Sequence, residues 1–144
     1  MMNRSFLTDN IIELRLKKVE RKYWVFPVVY QYDIYLQENG LVIGRCDYRC
    51  LHNAENYYAG NIGYMIFPEF RGNGYAFSAA KLLCYLARSL GAKKLYITCS
   101  PENIASKKTI EKLPIVFIEE VNVPIDHFLY GQGEKIKDIY LLRL

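Results

Sequence analysis

The sequence predicts an α+β fold with a mixed, mostly antiparallel central sheet, one β-α-β unit in its middle and helices packed on it. Segments rich in Val, Ile and Tyr fill most of the first half of the chain and read as strands. The pair Asn39-Gly40 separates two of these segments and is typical of a hairpin turn. Residues 75–90 then change to steps of three and four, which indicates an amphipathic helix between two apolar segments.

Four strands are predicted in the first half, at residues 11–19, 28–37, 41–50 and 61–67. The second and third flank the hairpin turn, and the fourth ends at Pro68, which has no N–H to donate to a ladder. The polar residues 51–60 are predicted to form a loop between the third and fourth strands.

The second half alternates helices and strands. After the helix at 75–90, Gly91 is suited to cap its C-terminus. The remaining predicted elements are a buried strand at 94–99, a helix at 103–113 that Pro114 ends, and strands at 115–123 and 136–143, with a loop at 122–135.

Length and composition narrow the class of protein. The 144 residues suit a single domain spanning 1–144. A net charge of +4 without a clustered basic helix argues against nucleic-acid binding, and the basic residues near the N-terminus are expected to form a solvated face. No apolar stretch approaches the ~20 residues that a membrane span needs.

The cysteines and histidines predict no metal site. The four cysteines form no Cys-x-x-Cys pair, and the chain has only two histidines. Cys84 and Cys99 lie in apolar segments and are expected to be buried thiols. Since no signal peptide is recognised at the start of the sequence, we expect reduced thiols and a cytoplasmic location.

The segment with the most specific chemistry joins the strand at 61–67 to the helix at 75–90. Arg71-Gly72-Asn73-Gly74-Tyr75-Ala76 would place two glycines at the N-terminus of that helix, where unpaired N–H groups attract phosphate. Arg71 can add a charge or bond to the carbonyl groups of the loop. A Walker loop would need Gly-Lys-Ser/Thr, and a dinucleotide fingerprint would need glycine at position 77, which is Phe. A glycine turn that only starts the helix is the remaining alternative.

A second segment agrees with the first. Ser100-Pro101-Glu102-Asn103-Ile104-Ala105-Ser106 follows the strand at 94–99, and Glu111-Lys112-Leu113 follows one helix length later. Together, Arg-x-x-Gly-x-Ala and Asn-x-x-Ser…Glu-Lys-Leu in this order of elements resemble the GNAT superfamily of N-acetyltransferases. The two motifs span residues 61–113.

The resemblance implies an enzyme that moves the acetyl group of acetyl-CoA to a primary amine, on a small molecule or a peptide, by direct attack in a ternary complex. It implies that the strands at 61–67 and 94–99 part to admit the pantetheine arm, and that an N–H near Met65 or Ile66 faces the thioester oxygen. The residues that it implies for cofactor binding are Ile66, Phe67, Arg71, Gly72, Asn73, Gly74, Tyr75, Ala76, Asn103, Ser106 and Lys107. An exposed helix lysine is the alternative for Lys107.

The usual proton carriers of the family are missing. Many members have a general-acid Tyr seven residues after the Asn, where this chain has Ile110, and some have a Glu five residues before it, where this chain has Thr98. Tyr64, Tyr130 and His127 are the candidate replacements, each with a purely structural role as the alternative. The loss also leaves a second hypothesis open, a non-catalytic acyl-CoA-binding or regulatory module of the same fold.

The front of the chain is shorter than the family pattern. About residues 20–27 alone separate the first two predicted strands, so the two helices usual at this crossover cannot fit. The acceptor cleft must then be walled by aromatic residues and the loop at 122–135, or by a partner subunit in a homodimer. The aromatic residues are Tyr23, Trp24, Phe26, Tyr57 and Tyr58.

Overall fold

A computed structural model describes residues 3–22 and 26–144, with only the main chain described at positions 26 and 27. It confirms the predicted α+β class with mostly antiparallel strands. The strands are β1 Phe6–Thr8, β2 Ile12–Lys22, β3 Phe26–Leu36, β4 Val42–Arg49, β5 Ile62–Ile66, β6 Lys94–Cys99, β7 Ile115–Asn122 and β8 Ile136–Arg143. The helices are α1 Ala54–Ala59, α2 Tyr75–Ser89, α3 Ile104–Glu111 and α4 Phe128–Gly131, with a 3₁₀ turn at Pro68–Phe70.

The chain forms two compact units. The first combines the described part of residues 1–50 with Ile62–Ala92, and the second combines Leu51–Asn61 with Lys93–Leu144. The strands that precede and follow α2, β5 and β6, belong to separate hydrogen-bonded sheets. The β-α-β segment therefore leads from one sheet into the other.

The first unit is built on a five-stranded antiparallel sheet in the order β1-β2-β3-β4-β5. Asn39 and Gly40 form the turn between β3 and β4, as predicted, with Gly40 at a φ of 71° and the Leu36 N–H bonded to the Leu41 carbonyl at 2.9 Å. Only residues 23–25 lie between β2 and β3, which confirms the short crossover. Tyr23 and Trp24, predicted to wall the acceptor cleft, lie outside the described residues, and so does the side chain of Phe26.

One face of this sheet forms the core of the first unit. Leu14, Tyr32 and Ile34 are fully or almost fully buried, and α2 contacts β1, β2, β4 and β5. The buried residues of α2 recur at helical spacing: Ser78, Ala79, Ala80, Leu82, Leu83, Leu86 and Ala87. Small alanines on this stripe let the helix approach the sheet closely. Cys84 lies beside the stripe and is only half-buried, so the expectation that it is buried was wrong.

The C-terminus of α2 shows why Gly91 is needed. Gly91 has a φ of +92°, its N–H bonds to the Arg88 carbonyl, and the Ala92 N–H bonds to the Ala87 carbonyl, both at 3.0 Å. These two bonds form a Schellman motif, in which a left-handed residue, usually glycine, follows the last helical turn. The predicted capping role of Gly91 is therefore confirmed.

The second unit is built on a three-stranded antiparallel sheet in the order β6-β8-β7. The prediction of a loop at 51–60 was wrong there, because residues 54–59 form α1, capped by the Asn53 side chain, which accepts from the Asn56 N–H at 2.9 Å. The loop predicted at 122–135 likewise contains α4. Both helices are too short to show helical periodicity in the sequence.

The longest helix, α2, has 15 residues, and no described helix is both long and apolar enough to cross a membrane.

Candidate functional site

The loop between β5 and α2 has the backbone conformation that its glycines suggested. Gly72 has a φ of +85°, and Gly74 is the N-cap of α2 in the left-handed conformation, with φ 78° and ψ 11°. A glycine N-cap has no side chain, so the first-turn N–H groups of Tyr75 and Ala76 receive no bond from it. A Cβ at Gly72 or Gly74 would meet no atom within 4 Å. The loop thus presents outward main-chain N–H groups at the positive end of a 15-residue helix.

Arg71 and Asn73 hold this loop in place. The Arg71 Nε–H donates to the Ile66 carbonyl at 2.7 Å, a bond of the loop-fixing kind expected of it. The Asn73 side chain donates to the carbonyls of Phe70 and Arg71 at 3.0 and 3.3 Å. Both side chains donate to carbonyl groups, and neither is a hydrogen-bond acceptor for the main-chain N–H groups of the loop in these contacts.

The ladder of β5 decides which N–H of the strand faces outward. The Phe67 N–H donates to the Ile43 carbonyl of β4 at 2.8 Å. Because successive N–H groups in a strand point to opposite edges, the N–H of Met65 also points toward β4, and that of Ile66 points to the outer edge. The Arg71 bond to the Ile66 carbonyl lies on that same outer edge. Of the two residues considered for the thioester oxygen, Ile66 has the required direction.

In the second unit, Asn103 caps α3. Its Oδ1 accepts from the Ser106 N–H at 3.1 Å, and the residue is exposed. This is the usual work of an N-cap asparagine. The bond ties Asn103 and Ser106, two of the predicted cofactor-binding residues, into one helix terminus.

Lys107 has an anionic partner that the sequence did not reveal. Its Nζ lies 3.1 Å from Oδ2 of Asp138 on β8, where the Asp138 side chain is only 3% exposed and the Lys107 side chain is 33% exposed. The hydrogen bond to Asp138 raises the pKa of Lys107, which therefore stays charged. Asp138 also lies opposite Cys99 in the ladder, and burial raises the pKa of that thiol. A carboxylate within the apolar strand at 136–143 was the signal that could have drawn attention to this pair.

The glycine N-cap of α2 and the asparagine N-cap of α3 agree with the result of a family comparison. A family model described as an acetyltransferase (GNAT) domain matches residues 5–114, about three quarters of the chain. The chain belongs to the GNAT acetyltransferase family.

Solved structures of GNAT acetyltransferases share the fold at low sequence identity. A Vibrio cholerae protein assigned as a ribosomal-protein-serine acetyltransferase is 15% identical with a TM-score of 0.72, and the match covers 100% of both chains. RimL, a ribosomal L7/L12 alpha-N-protein acetyltransferase solved with coenzyme A, is 14% identical with a TM-score of 0.70, over 96% of this chain and 98% of that one.

A third structure contains the acetyl donor itself. The microcin C7 self-immunity acetyltransferase MccE, solved with acetyl-CoA and AMP, is 17% identical with a TM-score of 0.62, over 81% of this chain and 62% of that one. No curated protein sequence matches the chain.

The positions of the missing GNAT proton carriers are occupied by structural residues. Ile110 is fully buried on α3. The Thr98 hydroxyl donates to the Tyr58 carbonyl at 2.9 Å, which links β6 to α1. Neither side chain can take up a proton at neutral pH, so any general acid or base must lie elsewhere.

His127 is held at both ring nitrogens. Nδ1 accepts from the Leu129 N–H at 3.1 Å, capping α4, and Nε2 lies 2.9 Å from the Glu55 carbonyl. Because Nδ1 accepts and a carbonyl cannot donate, this arrangement requires the proton on Nε2. The ring also stacks on Phe128 with centroids 4.7 Å apart. His127 thus ties α4 to α1, and a catalytic role would require these bonds to open.

Tyr130 and Tyr64 are each half-buried and lie in different units. Tyr130 is on α4, three residues after His127, and the Lys135 ammonium lies 5.3 Å from the centre of its ring. Tyr64 lies on β5, opposite Cys46, and shares a sheet face with Ile66. The structure brings Tyr130 and His127 together on one short helix and places Tyr64 on the strand of Ile66.

Besides Asp138, sequence reasoning missed a second acidic residue with a side-chain partner, Glu119 on β7. Its carboxylate accepts a hydrogen bond from the hydroxyl of Tyr57 on α1. Burial, followed by this bond, raises the pKa of Tyr57 to about 12, so the phenol stays protonated at neutral pH. The Tyr57 ring also packs against Tyr96 and Tyr58, with centroids 5.0 and 5.3 Å apart. The aromatic residues of α1, predicted to wall an acceptor site, form a cluster with β6.

Proposed function

We propose that this GNAT protein is an N-acetyltransferase that moves the acetyl group of acetyl-CoA to a primary amine in a ternary complex. The observation that carries the proposal is the left-handed Gly74 at the N-cap of α2, which leaves the first-turn N–H groups directed outward. Helix N-termini of this form bind phosphate through N–H groups and the helix dipole. The solved relatives that contain acetyl-CoA or coenzyme A support the choice of donor.

The donor contacts in the proposal follow from this geometry. The main-chain N–H groups of Gly72, Gly74, Tyr75 and Ala76 hold the pyrophosphate, with Arg71 and Asn73 keeping the loop rigid. The main chain of Ile66 and Phe67 holds the pantetheine arm, and the outward N–H of Ile66 donates to the thioester oxygen. The family resemblance also assigns donor contacts to Asn103, Ser106 and Lys107, and Lys107 forms an ion pair with Asp138.

The proposed reaction needs little from ionisable side chains. The neutral amine nitrogen attacks the thioester carbon, a C–N bond forms, the C–S bond breaks, and the nitrogen loses a proton while the thiolate leaves. A thiol has a pKa of ~8.5 and is a fair leaving group without an acid. General acid–base catalysis typically contributes ~10²–10⁴-fold, so its absence slows the transfer without abolishing it. Proximity and the Ile66 N–H supply the larger part.

The burial of Ile110 and the bonded Thr98 favour a second candidate, a non-catalytic acyl-CoA-binding or regulatory module. Both side chains stand where the family resemblance places proton carriers, and both have structural contacts. This candidate shares the donor loop and differs only in the chemical step.

One pair of experiments separates the two. Titration calorimetry with acetyl-CoA should show binding under both candidates, while thiol release with a panel of amines should occur only for the enzyme. The panel contains polyamines and amino sugars as small-molecule amines. It also contains peptides with a free N-terminus, because two of the solved relatives are named for acting on ribosomal proteins. Binding without thiol release for any amine would favour the module, and absence of binding would contradict both.

A further inference from the structure

The helix α1 lies across one face of the three-stranded sheet. In the ladder, Thr98 of β6 pairs with Ile139 of β8, and Ile139 pairs with Glu119 of β7, so these three side chains share that face. The Thr98 hydroxyl donates to the Tyr58 carbonyl of α1 at 2.9 Å, and Ile139 is fully buried. The helix therefore covers the central strand, while Glu119 on the outer strand stays exposed.

Tyr57 of α1 reaches from β6 on one side of this sheet to β7 on the other. Its ring packs against that of Tyr96 of β6, with centroids 5.0 Å apart, and its hydroxyl donates to the Glu119 carboxylate of β7. A carboxylate offers about four acceptor positions, and this bond occupies one of them. Because burial and the bond raise the pKa of Tyr57 to about 12, the phenol is neutral at neutral pH, and the carboxylate alone supplies the charge of the pair.

Glu119 has no basic partner within the described residues. Asp138 on the neighbouring strand, by contrast, is paired with Lys107 at 3.1 Å. Glu120 is also exposed, but it lies opposite Asp138 in the ladder, on the other face of the sheet, away from α1. Glu119 is therefore the exposed carboxylate at the edge of the tyrosine cluster, oriented by Tyr57 and accessible to a cation from solvent.

The aromatic rings of this cluster already hold one ammonium group of the chain itself. The Lys94 Nζ lies 5.4 Å from the centre of the Tyr96 ring, within the ~6 Å range of a cation–π contact. Lys94 precedes Thr98 by four residues, so its main chain is ~13 Å along the strand from the row that contains Glu119, beyond the screening length of ~8 Å at physiological salt. Lys94 thus leaves Glu119 without a neutralising charge.

Two histidines next to the cluster add no charge that would repel a cation. Burial, and then the nearby Lys94, lower the pKa of His52, whose ring centroid lies 6.2 Å from that of Tyr96. The His127 ring, with its centroid 5.5 Å from that of Tyr58, accepts a hydrogen bond at Nδ1 and is therefore neutral. The surface beside Glu119 is aromatic and negative, a combination that attracts alkylammonium groups.

We propose that Glu119 and the Tyr57 phenol form a subsite for an ammonium group of the acceptor, and that this group is not the nitrogen that reacts. The inference rests on the proposed function and narrows its acceptor to amines with a second cationic group. The reacting nitrogen must be neutral, whereas a carboxylate raises the pKa of an ammonium bound to it and keeps it charged. An acceptor held at Glu119 therefore needs another amine for the thioester, as diamines and polyamines have.

The first test measures binding without any transfer, by titration calorimetry with spermidine. Glu119→Gln keeps the size of the side chain and an oxygen for Tyr57 but removes the charge, and it should weaken spermidine binding at least ~10-fold, the size of a lost charge-assisted hydrogen bond. Glu120→Gln is the matched control, since it makes the same change of net charge on the other face of the strand, and it should bind as the wild type does. Equal weakening in both variants, or a wild type that does not bind spermidine, would overturn the proposal.

The second test uses the reaction. Glu119→Gln should raise the KM for spermidine by ~10-fold or more and leave kcat nearly unchanged, because the subsite binds the acceptor and takes no part in the chemical step. The KM for butylamine, which has a single nitrogen, should change much less. A tripeptide amide with one lysine is the third probe, and a raised KM for it or for spermidine identifies the source of the second cation. Thermal stabilisation by acetyl-CoA, equal in variant and wild type, verifies that the variant is folded and that its donor site is intact.

Different results would contradict the subsite and the proposed function. If no amine releases thiol from acetyl-CoA, the proposed function and the acceptor role of Glu119 are both wrong, and the calorimetric comparison still shows whether Glu119 binds a cation. If thiol is released but the KM for spermidine and for the peptide is the same in Glu119→Gln and in the wild type, the subsite is wrong and the proposed function stands.

Discussion

At the residue scale, Gly74 does two things that no other residue type does at once. It takes a φ of 78° and leaves the N-cap position without a side chain. Ser, Asp or Asn at an N-cap would bond to the first-turn N–H groups that a phosphate needs. Gly91 provides a direct comparison, because it also has a positive φ and a Cβ there would likewise meet no atom within 4 Å, yet it lies at the other end of the same helix.

Gly74→Asp is therefore expected to weaken acetyl-CoA binding far more than Gly91→Asp. Both substitutions carry a similar backbone strain, but a carboxylate at 74 caps the first-turn N–H groups and repels the pyrophosphate. We expect a loss of at least ~10-fold in affinity for Gly74→Asp, from ~1.4 kcal/mol or more of lost charge-assisted bonding. Titration calorimetry on both folded variants measures it. Equal affinities would mean that Gly74 is only a turn residue.

The missing proton carriers are a second question at this scale. Tyr130→Phe is expected to lower turnover more than Tyr58→Phe, by ~10²-fold or less, the low end of general-acid effects. Each change removes one hydroxyl and keeps the ring, and both tyrosines are half-buried residues of short helices. Turnover at saturating acetyl-CoA with a reactive amine is the measurement. An unchanged rate in Tyr130→Phe would exclude it and direct attention to Tyr64.

The residues of the candidate site differ in how far the sequence could reveal them. The conformation of the loop at 71–76 was predictable because glycines directly indicate main-chain turns with a positive φ. The Lys107–Asp138 pair and the Tyr57–Glu119 bond were not, since they join positions 31 and 62 residues apart. Such contacts depend on tertiary structure, and the residue pattern of a single sequence holds no record of them.

At the element scale, strand and helix positions were predicted well wherever the hydrophobic period is long enough to be read. The predicted helix at 75–90 is observed as α2 Tyr75–Ser89, and the predicted strand at 94–99 as β6 Lys94–Cys99. The elements that were missed are short, with three residues in β1 and four in α4. Capping contacts and tertiary packing stabilise these elements, and neither leaves a periodic pattern.

The position of β5 depends on a glycine in the neighbouring strand. Gly44 on β4 lies opposite Ile66, and a Cβ there would overlap the Met65 carbonyl oxygen and come within 3.0 Å of the Ile66 Cα. At Gly63, by contrast, a Cβ would meet the side-chain tips of Asp47 and Arg49 at 2.5 and 2.6 Å. Main-chain atoms of a paired strand cannot move without breaking the ladder, whereas side-chain atoms can move by rotation about their own bonds.

Gly44→Ala is therefore expected to destabilise the fold by ~2–3 kcal/mol, within the usual range for overpacking, and to weaken acetyl-CoA binding because it displaces the main chain of Ile66. Gly63→Ala should cost less than Gly44→Ala, since it displaces the side chains of an ion pair rather than the main chain of a paired strand. Urea unfolding of both variants measures the difference. A Gly44→Ala protein as stable as Gly63→Ala would show that β5 tolerates displacement at this position.

At the scale of the whole molecule, the chain keeps the fold of its solved GNAT relatives at 14–17% identity while lacking the two helices that the family resemblance places between its first strands. Only residues 23–25 connect β2 to β3. Folds tolerate such losses at crossovers, and function follows the retained site rather than the overall architecture. The glycine loop at 71–76 is the part of the family pattern that this chain retains, so binding of the proposed donor is the property to test on the whole protein.

Acetyl-CoA is accordingly expected to raise the melting temperature of the protein, while ATP and NAD leave it unchanged. A ligand that binds only the folded state at 100 times its dissociation constant adds ~2.7 kcal/mol of stability, which shifts the melting temperature by several degrees for a chain of this length. ATP carries a negative charge similar to that of acetyl-CoA, and NAD contains the same type of pyrophosphate linkage, so a response to ATP would reveal attraction by the net charge of +4 and a response to NAD would reveal unselective pyrophosphate binding. The loop lacks the lysine of a Walker motif, and Phe77 stands where a dinucleotide fingerprint has its third glycine, so neither nucleotide has its usual phosphate-binding loop.

Differential scanning fluorimetry at 0.15 M salt, where long-range attraction is screened beyond ~8 Å, separates specific binding from attraction by net charge. Equal shifts with all three ligands would contradict the assignment of the loop to coenzyme A.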